Sequence, residues 1–148
     1  MKPDRTLVLM ADDAEARFLI NEGPGTGLKE LAGLSTAQFP DLQIEYQDRP
    51  VRQTGPAGAP RQGVDPHETL EVQRRERFAR HVAEALAQEW GQAKADRLVV
   101  AAAPKMLGVL RKLIAGPAAA ALAGDLAKDL MNIPVIDLPR HFEGLIKV

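Results

Sequence analysis

The sequence predicts a mixed α/β fold, in which helices pack on a sheet of antiparallel and parallel strands. Two apolar runs, at residues 7–11 and 98–103, have the composition of strands that are buried on both faces. Between them, apolar residues recur every four positions from Phe78 to Trp90, which predicts an amphipathic helix. A strand, a helix and a second buried strand form a crossover unit, so we expect the two apolar strands to run parallel.

The N-terminal third of the chain predicts three consecutive antiparallel strands. The first apolar run and residues 16–20 form the two strands of a hairpin, joined by a tight turn. Glycine-rich residues 23–27 mark a second turn, and residues 28–34 alternate in polarity as a third strand would. The pattern between residues 35 and 52 is mixed, and we expect most of that segment to be irregular.

Three residues predict the start of the long helix. Asp65 is a suitable N-cap, because its carboxylate can accept a hydrogen bond from an unpaired backbone N–H. Pro66 suits the first helical position, and Glu68 completes a pattern that resembles a capping box. The helix should continue to about Trp90 and end near Gly91.

One apolar stripe along this helix predicts its packing face. The stripe consists of Phe78, Val82, Leu86 and Trp90, with Ala79 and Ala85 beside it. Continued backward, it reaches Arg74 and Arg75, so we expect the buried half to start near Phe78 and the first two to three turns to project beyond the core. Two ion pairs at i,i+4 spacing would support the projecting part: Glu71–Arg75 and Glu76–Arg80.

The second half of the chain predicts further elements after the second apolar strand. A helix begins at Pro104 and presents Leu107, Leu110 and Ile114 on one face. Beyond residue 117 two alternatives stay open, a helix with leucines at four-residue spacing or a short edge strand near residues 122–126. A last helix is predicted from residues 132–134 onward, packing through Val135, Leu138, Phe142 and Leu145, with Pro139 breaking or dividing it. With the first strand beside the fourth, the order is that of a ribonuclease-H-like mixed sheet.

Length and composition indicate one globular domain over residues 1–148. The chain has no cysteine, which excludes disulfides and thiolate metal sites and suits a reducing compartment. The apolar run near the N-terminus has five residues, too few for a signal peptide or a membrane span. We therefore expect a cytoplasmic protein without a membrane partner.

The charge is unevenly distributed along the chain. Residues 1–47 sum to −4, residues 48–81 to +2 and residues 82–148 to +1, for a net charge of −1. The middle segment is enriched in arginine, although a general nucleic-acid binder would usually carry a stronger basic excess.

This middle segment contains the candidate binding residues. Residues 47–67 are rich in glycine and proline and predict an irregular loop, which leads into the projecting turns of the long helix. Guanidinium groups bind phosphates bidentately and a glycine-rich backbone can approach a ligand closely, so the segment could contact an RNA backbone. The candidates are Arg49, Arg52, Arg61, Gln62, Gly63, Arg74, Arg75 and Arg77. The alternative is a mobile surface loop beside a solvated helix face.

Two groups of polar residues could suggest metal chemistry. Asp12 and Asp13 follow the first strand, where ribonuclease-H-like nucleases hold two metal ions, but no further acids show a converging spacing. We therefore favour a turn. His67 and His81 would lie about 21 Å apart on one helix, and His141 is far from both in sequence, so no metal site is predicted.

The start of the helix at Pro104 is a natural anion position, because a helix begins there at the end of a parallel strand. Lys105 would add a positive charge. The small side chains of this region and Gly108 favour instead a role in close packing between helix and sheet. Neither a cofactor nor a nucleophile is predicted.

Four segments together resemble the bacterial host attachment protein family. They are LVLMADDAEARFLI at 7–20, RRERFARHVAEAL at 74–86, LVVAAAPKMLGVLRKLI at 98–114 and GDLAKDLMNIPVIDLPRHF at 124–142. The resemblance implies a fold related to the middle domains of eukaryotic and archaeal peptide chain release factors. In those domains the loop before the long helix carries a Gly-Gly-Gln tip that enters the peptidyl transferase centre of the ribosome.

The resemblance implies a function for the loop at residues 47–67. This chain has Arg61-Gln62-Gly63 there, so Gln62 alone matches the release-factor motif. We expect a non-enzymatic binding protein whose partner is RNA, the ribosome or a protein bound to them. The alternatives are a hydrolase of peptidyl-tRNA, with Gln62 positioning water, and literal attachment to host cells.

Overall fold

The computed structural model describes residues 4–47 and 66–146, and the side chains within these ranges except those of residues 44–47 and 66–68. Its centre is a five-stranded mixed sheet in the order β3-β2-β1-β4-β5. The strands are β1 (Thr6–Ala11), β2 (Glu15–Asn21), β3 (Lys29–Ser35), β4 (Arg97–Ala102) and β5 (Leu122–Leu126). The predicted mixed α/β fold is therefore confirmed.

Pairing within the sheet follows the prediction. β1 pairs with β2 in antiparallel register, with Leu9 opposite Phe18, and β2 pairs with β3 in the same sense. On its other side β1 pairs in parallel with β4, so that Leu9 also lies beside Val100. Residues 7–11 are buried on both faces, which explains why this strand is apolar from Leu7 to its end.

Four α-helices and three short 3-10 turns complete the described part of the chain. The helices are α1 (Pro40–Gln47), α2 (Pro66–Ala93), α3 (Pro104–Leu113) and α4 (Gly116–Ala120). The 3-10 turns are Thr36–Gln38, Val135–Asp137 and Pro139–Phe142. One face of the sheet packs against the helices, through a core that includes Phe18, Leu42, Phe78 and Leu107.

The prediction of an irregular segment after the third strand is wrong for residues 36–47. Ser35 begins a 3-10 turn with a capping box, in which its Oγ accepts from the N–H of Ala37 and Gln38 Oε1 accepts from the N–H of Ser35. α1 follows and buries Leu42 completely. No apolar periodicity marks this helix in the sequence, and Leu42 is its one buried residue among those whose side chains are described.

The stripe predicted for α2 is confirmed. Phe78, Val82 and Leu86 are buried, and Trp90 is half-buried beside them. The helix begins at Pro66 as expected and ends at Ala93, slightly beyond the predicted end. Asp65, the proposed N-cap, lies outside the described residues.

The segment that sequence left ambiguous is a short helix, α4, followed by an edge strand, β5. β5 pairs in parallel with β4. The sheet and the C-terminal segment approach each other closely here, because a Cβ added at Gly124 would lie 2.6 Å from Leu145 Cδ2. A glycine at position 124 therefore gives Leu145 room to pack against the edge strand.

The prediction of a final α-helix is wrong. Residues 135–142 form two 3-10 turns that meet at Leu138 and Pro139. Proline lacks an N–H and disfavours helical continuation at the preceding turn, so the segment divides where Pro139 stands. Two of the predicted packing residues, Leu138 and Phe142, are nevertheless fully buried. They pack on the second face of the sheet, in a cluster that includes Val8, Met10 and Val99.

A bidentate ion pair joins β5 to α3. Arg111 Nε and Nη2 donate to the carboxylate of Asp125 at 3.0 and 2.9 Å, and these hydrogen bonds hold the pKa of Asp125 below its usual value. A carboxyl group whose pKa is lowered by folding stabilises the fold above the pKa of the unfolded state, and loses that contribution as the pH falls through the folded pKa.

We therefore expect Asp125→Asn to be less stable than wild type at neutral pH, and the difference to shrink as the pH falls below about 4, the ordinary pKa of aspartate. Urea denaturation at pH 7, 4 and 3 measures this difference. Asp137→Asn, which removes an exposed aspartate, is the control and should show little difference at any pH. A deficit for Asp125→Asn that is constant with pH would contradict the assignment.

Among the described residues, no helix combines the length and apolar character needed to cross a membrane.

Candidate functional site

A cleft of about 530 Å³ lies at the carboxyl ends of β1 and β4. We call it the strand-end cleft. Its lining comes from the turn after β1, from α2, from the start of α3 and from the segment after β5. The lining residues are Asp12, Asp13, Ala14, Arg75, Ala103, Pro104, Lys105 and Asp129. In open α/β sheets, ligands bind outside the carboxyl ends of the strands, where the connections diverge to either side.

The turn after β1 forms one wall of the cleft. Asp12 Oδ1 accepts from the N–H groups of Ala14 and Glu15 at 2.8 and 2.7 Å, and the N–H of Asp12 donates to the carbonyl of Glu15. Asp12 therefore holds the turn of the β1–β2 hairpin through its own side chain. The interpretation of these aspartates as a turn is confirmed.

Arg75 crosses from α2 to this turn. Its Nε lies 3.1 Å from both carboxylate oxygens of Asp13, and its Nη2 lies 3.0 Å from Asp13 Oδ2. The Arg75 side chain is only 9% exposed, whereas that of Asp13 is 52% exposed. The prediction that Arg75 lies on a solvated turn and pairs with Glu71 is wrong, because the guanidinium group turns inward and binds the carboxylate of Asp13.

α2 runs antiparallel to β1, and two arginines establish this direction. Arg5, just before β1, donates from Nε and Nη2 to the carbonyl of Ala93 at the end of the helix. Arg75, near the start of the helix, binds Asp13 just after β1. The nine residues of α2 that precede Arg75 therefore extend about 13 Å beyond this contact, on the side of the strand-end cleft. Residues 71–73 are exposed there, whereas Thr69, Leu70 and Arg74 are half-buried, so only part of the predicted projecting surface is open to solvent.

Lys105 brings a positive charge to the opposite wall of the cleft. It follows Pro104 in the first turn of α3, where no side chain caps the helix start. Lys105 is exposed and forms no ion pair within the described part of the chain. The prediction that Gly108 serves close packing is wrong, since a Cβ at Gly108 would meet no atom within 4 Å.

The structure brings together some of the residues that sequence singled out. Arg75, Asp12, Asp13 and Lys105 share the cleft. Arg74 and Arg77 lie half-buried on α2. Five candidates lie outside the described residues: Arg49, Arg52, Arg61, Gln62 and Gly63. The contribution of Asp129 to the cleft was missed, and no spacing in the sequence connects it to the turn after β1.

The histidines occupy separate positions. His81 packs on Phe39 with ring centroids 3.8 Å apart, and its Nε2 lies 3.1 Å from Asp41 Oδ1. It therefore fastens α1 to α2. The side chain of His67 lies outside those described, and among the described residues no three carboxylate or imidazole groups gather as metal ligands would.

The lining of the cleft suits binding through charge. Two cationic and three carboxylate side chains surround it, with two alanines and a proline between them. The Arg75–Asp13 pair neutralises one charge of each sign. Asp12 and Asp129 each accept backbone hydrogen bonds through Oδ1, from Ala14 and Glu15 and from Met131, so Lys105 is the cleft side chain for which no such contact is described.

Comparison with protein families gives a match over most of the chain. A model of the family described as protein required for attachment to host cells covers residues 7–142. Among curated proteins, no match to this chain is found.

Proposed function

On the premise that this chain belongs to the family of proteins required for attachment to host cells, we propose that it is a non-enzymatic binding protein that contacts its partner at the strand-end edge of the sheet. The observation that carries this proposal is the projection of α2. Its first nine residues extend past the end of β1 on the side of the cleft, and Arg75 of the same helix lines the cleft.

We define the contact surface as residues 47–67, the turns of α2 up to Arg77, and Lys105. By chain connectivity, residues 47–67 join the projecting end of α2. Arg61, Arg74 and Arg77 are the proposed cationic contacts, with Gln62 and Gly63 beside Arg61 in sequence. Arg75 lies on the same turns, with its guanidinium group bound to Asp13.

The proposed partner is RNA or the ribosome in the cytoplasm. Arginine and lysine side chains bind phosphate oxygens, and such contacts supply most of the affinity for a nucleic-acid backbone. The fold that the family resemblance implies, that of release-factor middle domains, supports this class of partner, because the corresponding loop of those domains works inside the ribosome.

Co-sedimentation with purified bacterial ribosomes tests the proposal. We expect the protein to migrate with ribosomes at low salt and to be released as salt rises. Lys105→Ala and Arg61→Ala should each weaken binding, and removing one phosphate-binding side chain should lower the salt slope by about 1. The matched control is Lys112→Ala, an exposed lysine in the last turn of the same helix as Lys105.

If the wild-type protein stays at the top of the gradient at every salt concentration, the RNA partner is wrong. If Lys112→Ala weakens binding as much as Lys105→Ala does, the contact surface is wrong. Detection of the protein on the surface of intact cells would instead favour attachment in the literal sense of the family description.

A further inference from the structure

A small apolar pocket lies between α3, α4 and the edge strand β5. Its volume is about 80 Å³, and most of its lining is apolar. The lining residues are Val100, Leu107, Arg111, Ile114, Ala119, Leu122 and Asp125. An apolar cavity of about 150 Å³ holds one benzene molecule, so this pocket has room for about three or four carbon atoms. That is the size of the branched end of a valine, leucine or isoleucine side chain.

A pocket of this size suits one side chain of a larger partner better than a free ligand. Pockets that enclose a whole small molecule measure about 300–1,000 Å³. A fragment of about three or four carbon atoms buries too little surface to bind tightly by itself. The partner should therefore make further contacts with the surface around the pocket.

The edge strand β5 offers such contacts through its backbone. It pairs with β4 on one side, and no other strand of the described residues pairs with it. Leu122 is 39% exposed and Ala123 is exposed next to it, so this edge is apolar as well as open. An open edge of this kind can hydrogen-bond an extended peptide, which then adds one strand to the sheet.

The opposite edge of the sheet is less suited to such pairing. β3 carries Lys29 and Glu30, and charged side chains on an edge strand hinder pairing with another chain. β5 carries one charged residue, Asp125, whose carboxylate is bound by Arg111. Of the two edges, β5 is therefore the one that fits a peptide strand.

Arg111 adds a cationic contact beside the pocket. Its Nε and Nη2 bind Asp125, whereas no hydrogen bond from its Nη1 is found among the described residues. The Arg111 side chain is 56% exposed, and the neighbouring Lys112 is exposed too. A guanidinium group has five N–H donors, so the remaining ones can bind a second carboxylate. The partner should therefore carry an acidic residue close to its aliphatic one.

We propose that β5 and the adjoining pocket form a binding site for an extended peptide segment of another protein. The peptide adds a strand to β5, places a branched aliphatic side chain in the pocket and directs a carboxylate to Arg111. Because side chains two positions apart share one face of a strand, the acidic residue stands two positions from the aliphatic one. The pocket shares no lining residue with the strand-end cleft, and this inference does not depend on the proposed function.

A synthetic peptide, acetyl-Thr-Glu-Thr-Leu-Thr-Val-Thr-amide, tests the proposal when it is titrated into the isotope-labelled protein. The NMR signals of amides 122–126 should shift, whereas those of amides 29–35 on the opposite edge should not. Replacing the peptide leucine by alanine should weaken binding by roughly tenfold or more, because less apolar surface is buried. Replacing the peptide glutamate by glutamine should weaken binding less and make it less sensitive to salt. Both comparisons use the wild-type protein, so they do not depend on the folding of a variant.

Ala119→Leu tests the pocket from the side of the protein. The larger side chain should fill the pocket and weaken binding of the leucine peptide by roughly tenfold. Ala120→Leu is the matched control, since Ala120 is the next residue of α4, is exposed and does not line the pocket. It should bind the peptide as the wild-type protein does. Circular dichroism spectra of both variants would show that the fold is retained.

Three results would overturn the proposal. The first is that the leucine peptide leaves amides 122–126 unshifted at millimolar concentration, and the second is that amides 29–35 shift as much. The third is that Ala119→Leu binds the peptide as tightly as Ala120→Leu does. If the protein alone forms a dimer in analytical ultracentrifugation and Ala119→Leu dissociates it, the edge binds a second copy of this chain and the peptide partner is wrong.

Discussion

Phe142→Ala is expected to lower the free energy of unfolding by about 3–5 kcal/mol. Phe142 is fully buried in the cluster that covers the second face of the sheet, beside Leu138 and Ile146. This face is covered by 3-10 turns and irregular chain. Because such a segment makes few backbone hydrogen bonds of its own, its attachment depends on the side chains that it buries.

Urea denaturation followed by circular dichroism measures this effect. Ile136→Ala is the matched control, since Ile136 lies in the same segment but is 84% exposed, and its truncation should change stability by less than about 0.5 kcal/mol. If both variants lower the free energy of unfolding by the same small amount, the C-terminal segment does not pack on the sheet as described.

Phe78→Ala is expected to lower the free energy of unfolding by a similar amount, about 3–5 kcal/mol. Phe78 is the first fully buried apolar residue of the α2 stripe, and its ring lies 6.2 Å from that of Phe39. Its removal leaves a cavity between α2, the sheet and the residue that precedes α1. We therefore expect α1 to lose protection from hydrogen exchange together with the start of α2.

Val72→Ala provides the comparison on the same helix. Val72 is 44% exposed on the projecting turns, so its truncation should change the free energy of unfolding by less than about 0.5 kcal/mol. A loss of stability from Val72→Ala as large as that from Phe78→Ala would mean that the first turns of α2 are packed against the core, and would contradict their projection.

Sequence patterns predicted those elements whose packing involves many residues in a regular repeat. β1 and β4 are apolar at nearly every position because they lie in the middle of the sheet, and the α2 stripe repeats at four successive positions. α1 could not be found in this way, since Leu42 is its one described buried residue. The prediction of a final helix failed although the apolar pattern was present. The apolar residues of that segment have helical spacing, but Pro139 prevents a continuous helix.

The candidate site was predictable only in part, because its contacts join distant parts of the sequence. Arg75 was a candidate through its charge and position, and Asp13 through its place after a strand. Their pairing spans 62 positions, and no local pattern encodes it. Sequence therefore identified both side chains but assigned Arg75 to solvent and to a partner, while the structure uses it to hold the helix.

The position of β1 in the sheet has a consequence for synthesis of the chain. β1 pairs with β2 almost as soon as both are made, but its other edge pairs with β4, about 90 residues later. At about 5–20 residues per second, a nascent chain waits roughly 5–18 s between completing the first strand and completing its parallel neighbour. Throughout that interval the hairpin presents an open apolar edge, which is the kind of edge that pairs with other chains. Aggregation during expression should therefore depend on how quickly translation proceeds from β2 to β4.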